Sequence, residues 1–241
     1  MSAMPTGPAH AQPPTLTDRM RLHPAVWAIG ALNTLMWLVA EGRGGSTDLR
    51  VMLELGAQAT PLLDAEPWRL LTSTFLHFGL IHLASNMFGL YLFGQIFEEL
   101  VGSRRFAALY LAAGLAGSAT TVVFVGSNTV SAGASGSIFG LLGAFAVLGF
   151  QLRETPQGQA WLRQAGVLFG LNLVLGLSSP SIGLEAHAGG AVAGAVIFAA
   201  YAGRRGPRSF WADRHRGTTT RGLSAAIIVA VLSVAIALLA A

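Results

Sequence analysis

The sequence contains no cysteine and no lysine, and it has few charged residues of any kind. Only 11% of its 241 residues are charged, whereas soluble domains carry about 25%. Without cysteine there can be no disulfide framework, no thiolate metal site and no cysteine nucleophile. The HExxH motif of many metalloproteases is also missing. So little charge, in a chain that is 53% hydrophobic, argues against a disordered protein, a DNA-binding protein and a water-soluble enzyme.

The residues that are present are mostly apolar. Hydrophobic residues make up 53% of the chain, and the mean hydropathy is +0.58. A chain of this length cannot bury such an excess in its own core, so lipid must cover it. The histidines are too few and too scattered for a zinc cluster: His10, His23, His77, His82, His187 and His215. We therefore expect no metal and no cofactor.

Seven apolar stretches are candidate membrane spans, and the last six are each near the roughly 20 residues that crossing a bilayer takes. They cover residues 25–40, 79–97, 105–125, 134–151, 160–177, 186–203 and 222–241. The first is too long for a signal-peptide core and lacks a clear cleavage site. Before it, the Pro-rich residues 1–22 indicate a disordered tail. The sequence thus predicts an all-α polytopic membrane protein with seven spans.

The arginines are distributed unequally between the two sides of the predicted bundle. Twelve fall in the tail and in the connections after spans 2, 4 and 6: Arg19, Arg21, Arg104, Arg105, Arg153, Arg163, Arg204, Arg205, Arg208, Arg214, Arg216 and Arg221. Three, Arg43, Arg50 and Arg69, fall on the other side. Because positive residues mark the cytoplasmic side, we expect a cytoplasmic N-terminus and an external C-terminus. The basic residues then determine topology rather than nucleic-acid binding.

Polar residues at membrane depth are costly and usually functional, and the first group lies at the start of span 2. His82 and Asn86 are four residues apart and share a helix face. Both can donate hydrogen bonds. They could serve a reaction, or they could only join helices by hydrogen bonds worth about 1 kcal/mol.

The second group begins span 4, where Gly133 and Gly136 flank Ala134-Ser135. A serine between glycines at a helix start is similar to a nucleophile elbow, and the free N–H groups there could bind an oxyanion. Small residues at Gly136, Gly140 and Gly143 would also suit close helix packing. The pattern alone leaves both interpretations open.

The third group lies in span 6, where His187 precedes Gly190 and Gly194. A structural histidine beside a GxxxG packing pair is the alternative to a functional one. Spans 2, 4 and 6 run in the same direction, however, so all three groups lie at similar depth on the outer side. Ser135 and His187 could meet there as nucleophile and base, with His82 and Asn86 as hydrogen-bond donors.

In combination these motifs resemble the rhomboid intramembrane serine proteases. Trp68-Arg69 resembles the Trp-Arg pair of that family's first loop, and His82 with Asn86 resembles its HxxxN motif. Glu98 followed by Gly102 resembles ExxxG. Two further motifs complete the set: residues 133–136 resemble GxSG, and residues 186–194 resemble AHxxGxxxG.

The resemblance implies a Ser–His dyad that cleaves within or next to transmembrane segments. Ser135 would be the nucleophile and His187 the general base and acid, while His82, Asn86 and the Ser135 backbone N–H would form the oxyanion hole. Phe139 occupies a position that is often Tyr; it can stack on His187 but cannot hydrogen-bond to it, so packing alone would orient the ring. The supporting residues would be Gly133, Gly136, Trp68, Arg69, Glu98, Gly190 and Gly194, with Arg69 near the lipid headgroups.

The resemblance also divides the chain. It implies a six-helix core over residues 23–203, an Arg-rich cytoplasmic loop over 204–221 and an additional helix over 222–241. The expected partners are transmembrane protein substrates and the lipid bilayer, with no nucleic acid, and the expected location is a bacterial inner membrane. Two alternatives are a non-catalytic relative that binds membrane clients and a small transporter, although transporters usually place ionisable groups near the midplane.

Overall fold

The computed structural model of the protein describes residues 16–126, 129–179, 182–202 and 220–241. Its helices are α1 (Leu16–Leu22), α2 (Pro24–Gly42), α3 (Leu49–Glu54), α4 (Arg69–Thr72), α5 (Leu80–Val101), α6 (Ser103–Val125), α7 (Ser135–Gln151), α8 (Pro156–Ser178), α9 (Leu184–Ala202) and α10 (Thr220–Ala240). Two short strands, β1 (Gln58–Ala59) and β2 (Val130–Ser131), pair antiparallel.

The predicted fold class is confirmed, because the described residues form a helical bundle and each predicted span corresponds to one helix. Six of the helices in the described part of the chain are long and apolar enough to cross a membrane: α2, α5, α6, α8, α9 and α10. The remaining span is α7, which has 17 residues, at the short end of the range that can cross a bilayer.

The predicted disordered tail and Arg-rich loop are only partly described. Residues 1–15 and residues 204–219, with Arg204, Arg205, Arg208, Arg214 and Arg216, lie outside the described residues. The last residues of the predicted tail form the helix α1. The prolines that disfavour a helix lie at positions 5, 8, 13 and 14, before α1 begins, so nothing in residues 16–22 prevents helix formation.

Helix α7 lies at the centre of the bundle, in contact with α5, α6, α8 and α9, and α10 packs on α6 and α9. Aromatic contacts fill the core, as between Phe97 of α5 and Phe198 of α9, whose ring centroids are 5.1 Å apart. Large apolar side chains such as Ile81 and Phe124 are mostly exposed. This outward apolar surface is the one that lipid covers.

The contact between α7 and α9 is backbone against backbone. A Cβ atom added at Gly190 would collide with the carbonyl of Gly136, and one added at Gly194 would collide with that of Gly140. Small residues spaced by four allow membrane helices to approach this closely. The four glycines thereby bring residues 190–194 of α9 against residues 136–140 of α7.

The connection between α2 and α5 folds over the start of α7. The β1–β2 pair places Gln58 opposite Ser131, and the Gln58 side chain donates a 3.0 Å hydrogen bond to the Ser118 carbonyl of α6. The Gly133 N–H donates to the Ser73 carbonyl at 2.9 Å. These bonds fix the backbone that leads into Ser135.

Candidate active site

Ser135 is the first residue of α7 and is half-buried. Two hydrogen bonds hold the backbone just before it: Gly133 N–H to Ser73, and Ala134 N–H to Nε2 of His77 at 3.3 Å. Gly133 has φ +145°, a conformation that side chains disfavour. The serine is therefore presented by a tight, tethered turn.

The start of α7 also supplies hydrogen-bond donors. The first hydrogen bond of the helix runs from the Ile138 N–H to the Ala134 carbonyl. The N–H groups of residues 135–137 consequently have no acceptor within the helix. An oxyanion beside Ser135 would lie at the positive end of the helix dipole.

His187 stacks on Phe139, which lies one turn after Ser135 on α7. The ring centroids are 4.1 Å apart and the planes differ by 5°. His187 is buried, with 8% of its surface exposed, and Phe139 contacts Phe169 of α8 on another side. The imidazole plane is thus fixed over the turn that carries Ser135.

The expectation that packing alone orients His187 is wrong. Its Nδ1 lies 3.1 Å from Oδ1 of Asn172, a residue of α8. None of the sequence motifs includes this partner. Asn172 carries a polar amide inside an apolar span. Because a polar side chain at membrane depth is energetically costly, its presence there was the signal that could have identified it.

His82 lies in the first turn of α5, next to the glycine that precedes Ser135. A Cβ atom at Gly133 would lie 2.9 Å from His82 Nε2 and 3.7 Å from Ser135 Oγ. The His82 ring and the serine hydroxyl therefore border the same small space, which only glycine leaves open. His77 supports this arrangement, with its ring edge-on to His82 at 5.1 Å between centroids.

Asn86 follows His82 by one helical turn and is buried. Its Nδ2 donates to the His82 carbonyl at 2.9 Å. An amide nitrogen carries two hydrogens, so this bond leaves a second one for another acceptor. Asn86 thus lies beneath His82, as the four-residue spacing predicted.

Arg69 lies away from this cluster, within the connection that covers it. Its Nη1 donates to the carbonyls of Leu53 and Ala57 at 2.7 and 2.9 Å, and its Nε pairs with Glu66. The side chain is buried, with 6% of its surface exposed, and that it lies at the depth of the lipid headgroups stays a prediction. Trp68 lies under the guanidinium, with its ring centroid 4.8 Å from the Arg69 Cζ.

Glu98 lies at the opposite end of α5. Its two carboxylate oxygens accept the Ala25 and Val26 N–H groups at 2.9 and 2.8 Å. These N–H groups lie at the start of α2 and have no acceptor within that helix. Glu98 therefore joins α2 to α5, at the end of α5 opposite to His82. Among the residues that the structure describes, no group of three or more His, Cys, Asp or Glu is placed to hold a metal ion.

Comparison with known proteins places the chain within a family. The family model for the Rhomboid domain matches residues 64–204. The chain is 40% identical over 177 residues to the rhomboid protease GluP of Bacillus subtilis (strain 168), a match that covers 71% of this chain and 33% of GluP. It is 30% identical over 178 residues to YdcA of the same organism, covering 74% of this chain and 88% of YdcA.

A plant protein is also similar. RHOMBOID-like protein 5 of Arabidopsis thaliana is 36% identical over 146 residues, covering 58% of this chain and 46% of that protein. The chain therefore spans most of YdcA, but only about a third of GluP and less than half of the plant protein.

Proposed function

Since this chain belongs to the rhomboid family, we propose that it is an intramembrane serine endopeptidase that uses a Ser–His dyad. It is an integral, multi-pass membrane protein, and it has relatives that are named as rhomboid proteases. The observation that carries the proposal is the stack of His187 on Phe139, one turn after Ser135. Its substrates are membrane proteins, cut in or next to a transmembrane segment.

In the proposed reaction, Ser135 Oγ attacks the carbonyl carbon of the scissile peptide while His187 Nε2 accepts the hydroxyl proton. The carbonyl oxygen becomes an oxyanion, to which His82, Asn86 and the Ser135 N–H donate hydrogen bonds. Removing one such donor typically costs about 10²–10³ in rate.

The intermediate then collapses, and the C–N bond breaks. The leaving amine takes the proton from His187, which leaves an ester between Ser135 and the substrate acyl group. Water, deprotonated by His187, hydrolyses that ester and restores the free serine. Apart from this water, each step uses side chains and one backbone N–H of the chain itself.

The depth of the site determines which peptides can react. Ser135, His82 and His187 each lie in the first two turns of their helices, so the site is near one membrane face. Irregular backbone at membrane depth requires a hydrated or protein-lined surrounding. A substrate helix must therefore unwind before its carbonyl reaches Ser135, and helix-breaking residues near the cut will favour cleavage.

The arginine distribution supports an orientation with the N-terminus in the cytoplasm and the active site toward the outer face. We place the protein in a bacterial inner membrane, where its substrates would be cut near the external surface.

The test is labelling of the detergent-purified protein by a fluorophosphonate probe. We expect wild type to be labelled and the variants Ser135→Ala and His187→Ala to lose labelling. Ser137→Ala is the matched control, because Ser137 is a buried serine on the same turn of α7 and should leave labelling intact. Folded wild type that does not react would favour the client-binding or transport alternatives.

A further inference from the structure

Asn172 is a polar residue in an otherwise apolar stretch of α8. Its neighbours Leu171 and Leu173 are each more than half exposed, so this part of the helix faces outward. The Asn172 side chain is half-buried and points toward α9, where Oδ1 lies 3.1 Å from Nδ1 of His187. A polar group in a membrane helix is costly without a partner, and the partner here is the proposed catalytic base.

We propose that Asn172 is a positioning residue that fixes the protonation pattern of His187. The inference rests on the proposed Ser–His function. The Asn172 Oδ1 accepts the N–H of His187 Nδ1, which places the single proton of the neutral ring on that nitrogen. Nε2 then keeps its lone pair for the Ser135 hydroxyl.

The stack on Phe139 cannot do this by itself. Rotating the imidazole by 180° about its Cβ–Cγ bond leaves the ring plane unchanged, so a parallel stack accepts either orientation. A neutral imidazole carries its proton on one nitrogen only. A ring that is flipped, or protonated on Nε2, cannot accept the proton of Ser135. The hydrogen bond to Asn172 distinguishes these states, whereas the aromatic contact does not.

An amide suits this task in lipid. In soluble triads a carboxylate holds the imidazole in the correct tautomer, and in some cysteine proteases an asparagine takes that place. A carboxylate at position 172 would also accept the Nδ1 proton, but it would bury a charge at membrane depth at a cost in stability. The neutral Asn172 carbonyl supplies the acceptor, and its dipole stabilises the imidazolium that forms during the reaction.

The alternative is a purely structural bond that holds α8 to α9. Three substitutions separate the two roles. Asn172→Leu removes the acceptor at similar size, Asn172→Asp keeps an acceptor at the same position, and Leu173→Ala perturbs the adjacent outward residue of α8 as a control.

The first measurement is the kinetics of fluorophosphonate labelling, with the maximal rate separated from the half-saturating concentration. We expect Asn172→Leu to lower the maximal rate about tenfold, the effect of one lost hydrogen bond, with half-saturation unchanged. Asn172→Asp should recover most of that rate, and Leu173→Ala should match wild type. A structural bond alone would instead lower the melting temperature and the labelled fraction, without changing the rate of the folded molecules.

The second measurement is ¹⁵N NMR of histidine-labelled protein, with the His187 signals identified by their loss in His187→Gln. Wild type and Asn172→Asp should show the proton on Nδ1, and Asn172→Leu should show a mixture. If the amide nitrogen of Asn172 faced the ring instead, it would donate to Nδ1, and wild type would show the ring proton on Nε2. That result, or a wild-type rate in Asn172→Leu, would overturn the inference. A folded wild type that is not labelled would overturn the proposed function. The inference about Asn172 would still be tested by the NMR measurement of which His187 nitrogen carries the proton.

Discussion

At the scale of the single residue, His77 connects protonation to the geometry around Ser135. It lies just before α5, and its Nε2 accepts the Ala134 N–H. Burial, followed by the charge of the neighbouring His82, lowers the pKa of His77 from its usual 6.5 to about 3. The folded protein therefore holds His77 neutral, and a proton on Nε2 would remove the acceptor of Ala134.

This pKa predicts a loss of stability in acid. Between pH 6.5 and about 3 the unfolded chain binds a proton at His77 and the folded chain does not, so stability falls as the pH is lowered through this window. We expect the melting temperature of wild type to decrease more steeply than that of His77→Gln, which keeps an acceptor without titrating. Melting curves from pH 7 to 4 measure the difference. Parallel decreases would show that other groups account for the acid sensitivity.

The residues around Ser135 differ in how far sequence could predict them. The i, i+4 spacing of His82 and Asn86 and the positions at helix starts were sufficient to predict that these side chains lie at one depth. The contact between Asn172 and His187 was not predictable in this way, because it depends on the rotation of α8 about its own axis. The apolar residues of α8 are spread over most sides of the helix. Its hydrophobic pattern therefore does not indicate which side faces the rest of the protein.

At the scale of the element, the separation of α7 and α9 depends on glycine. Gly194→Ala would place a methyl group against the Gly140 backbone, which cannot move aside as a side chain could. We expect a cost of about 1–3 kcal/mol, typical of overpacking, and slower fluorophosphonate labelling, because Ser135 and His187 are carried by the two displaced helices. Melting temperature and labelling rate measure these effects.

The matched control is Gly166→Ala in α8, where a new Cβ atom has nothing within 4 Å. Alanine is favoured over glycine in a helix by about 0.5–1 kcal/mol, so this variant should be as stable as wild type or more so. Equal behaviour of the two variants would mean that glycine content, rather than the α7–α9 contact, determines the effect.

The elements outside the spans were less predictable than the spans. A run of about 20 apolar residues has few alternatives in lipid, since its backbone must be satisfied internally. The connection over residues 41–75 contains no such run, so its structure could not be predicted in the same way. Its β1 strand pairs with residues about 70 positions later in the chain, and its fold depends on Arg69 binding two carbonyls. Local patterns carry no signal for partners so distant in sequence.

At the scale of the whole molecule, the absence of cysteine makes the proposed orientation directly measurable. A single cysteine introduced at an exposed position is the only thiol in the chain. Ala65 lies in the connection before α4, Gln157 at the start of α8 and Ala241 after α10, and all three are exposed. With seven crossings and twelve arginines on the side of Gln157, the positive-inside rule places Ala65 and Ala241 outside.

We therefore expect a membrane-impermeant maleimide, added to intact cells, to label Ala65→Cys and Ala241→Cys but not Gln157→Cys. All three should react after permeabilisation, which controls for accessibility. Labelling of Gln157→Cys alone would show the opposite orientation, with the site at Ser135 facing the cytoplasm. Labelling of Ala65→Cys without Ala241→Cys would mean an even number of crossings, so that α10 lies along the membrane or returns without crossing it. The expected pattern would instead place Ser135 at the outer face, where it can act only on substrates whose unwound segment reaches the external side.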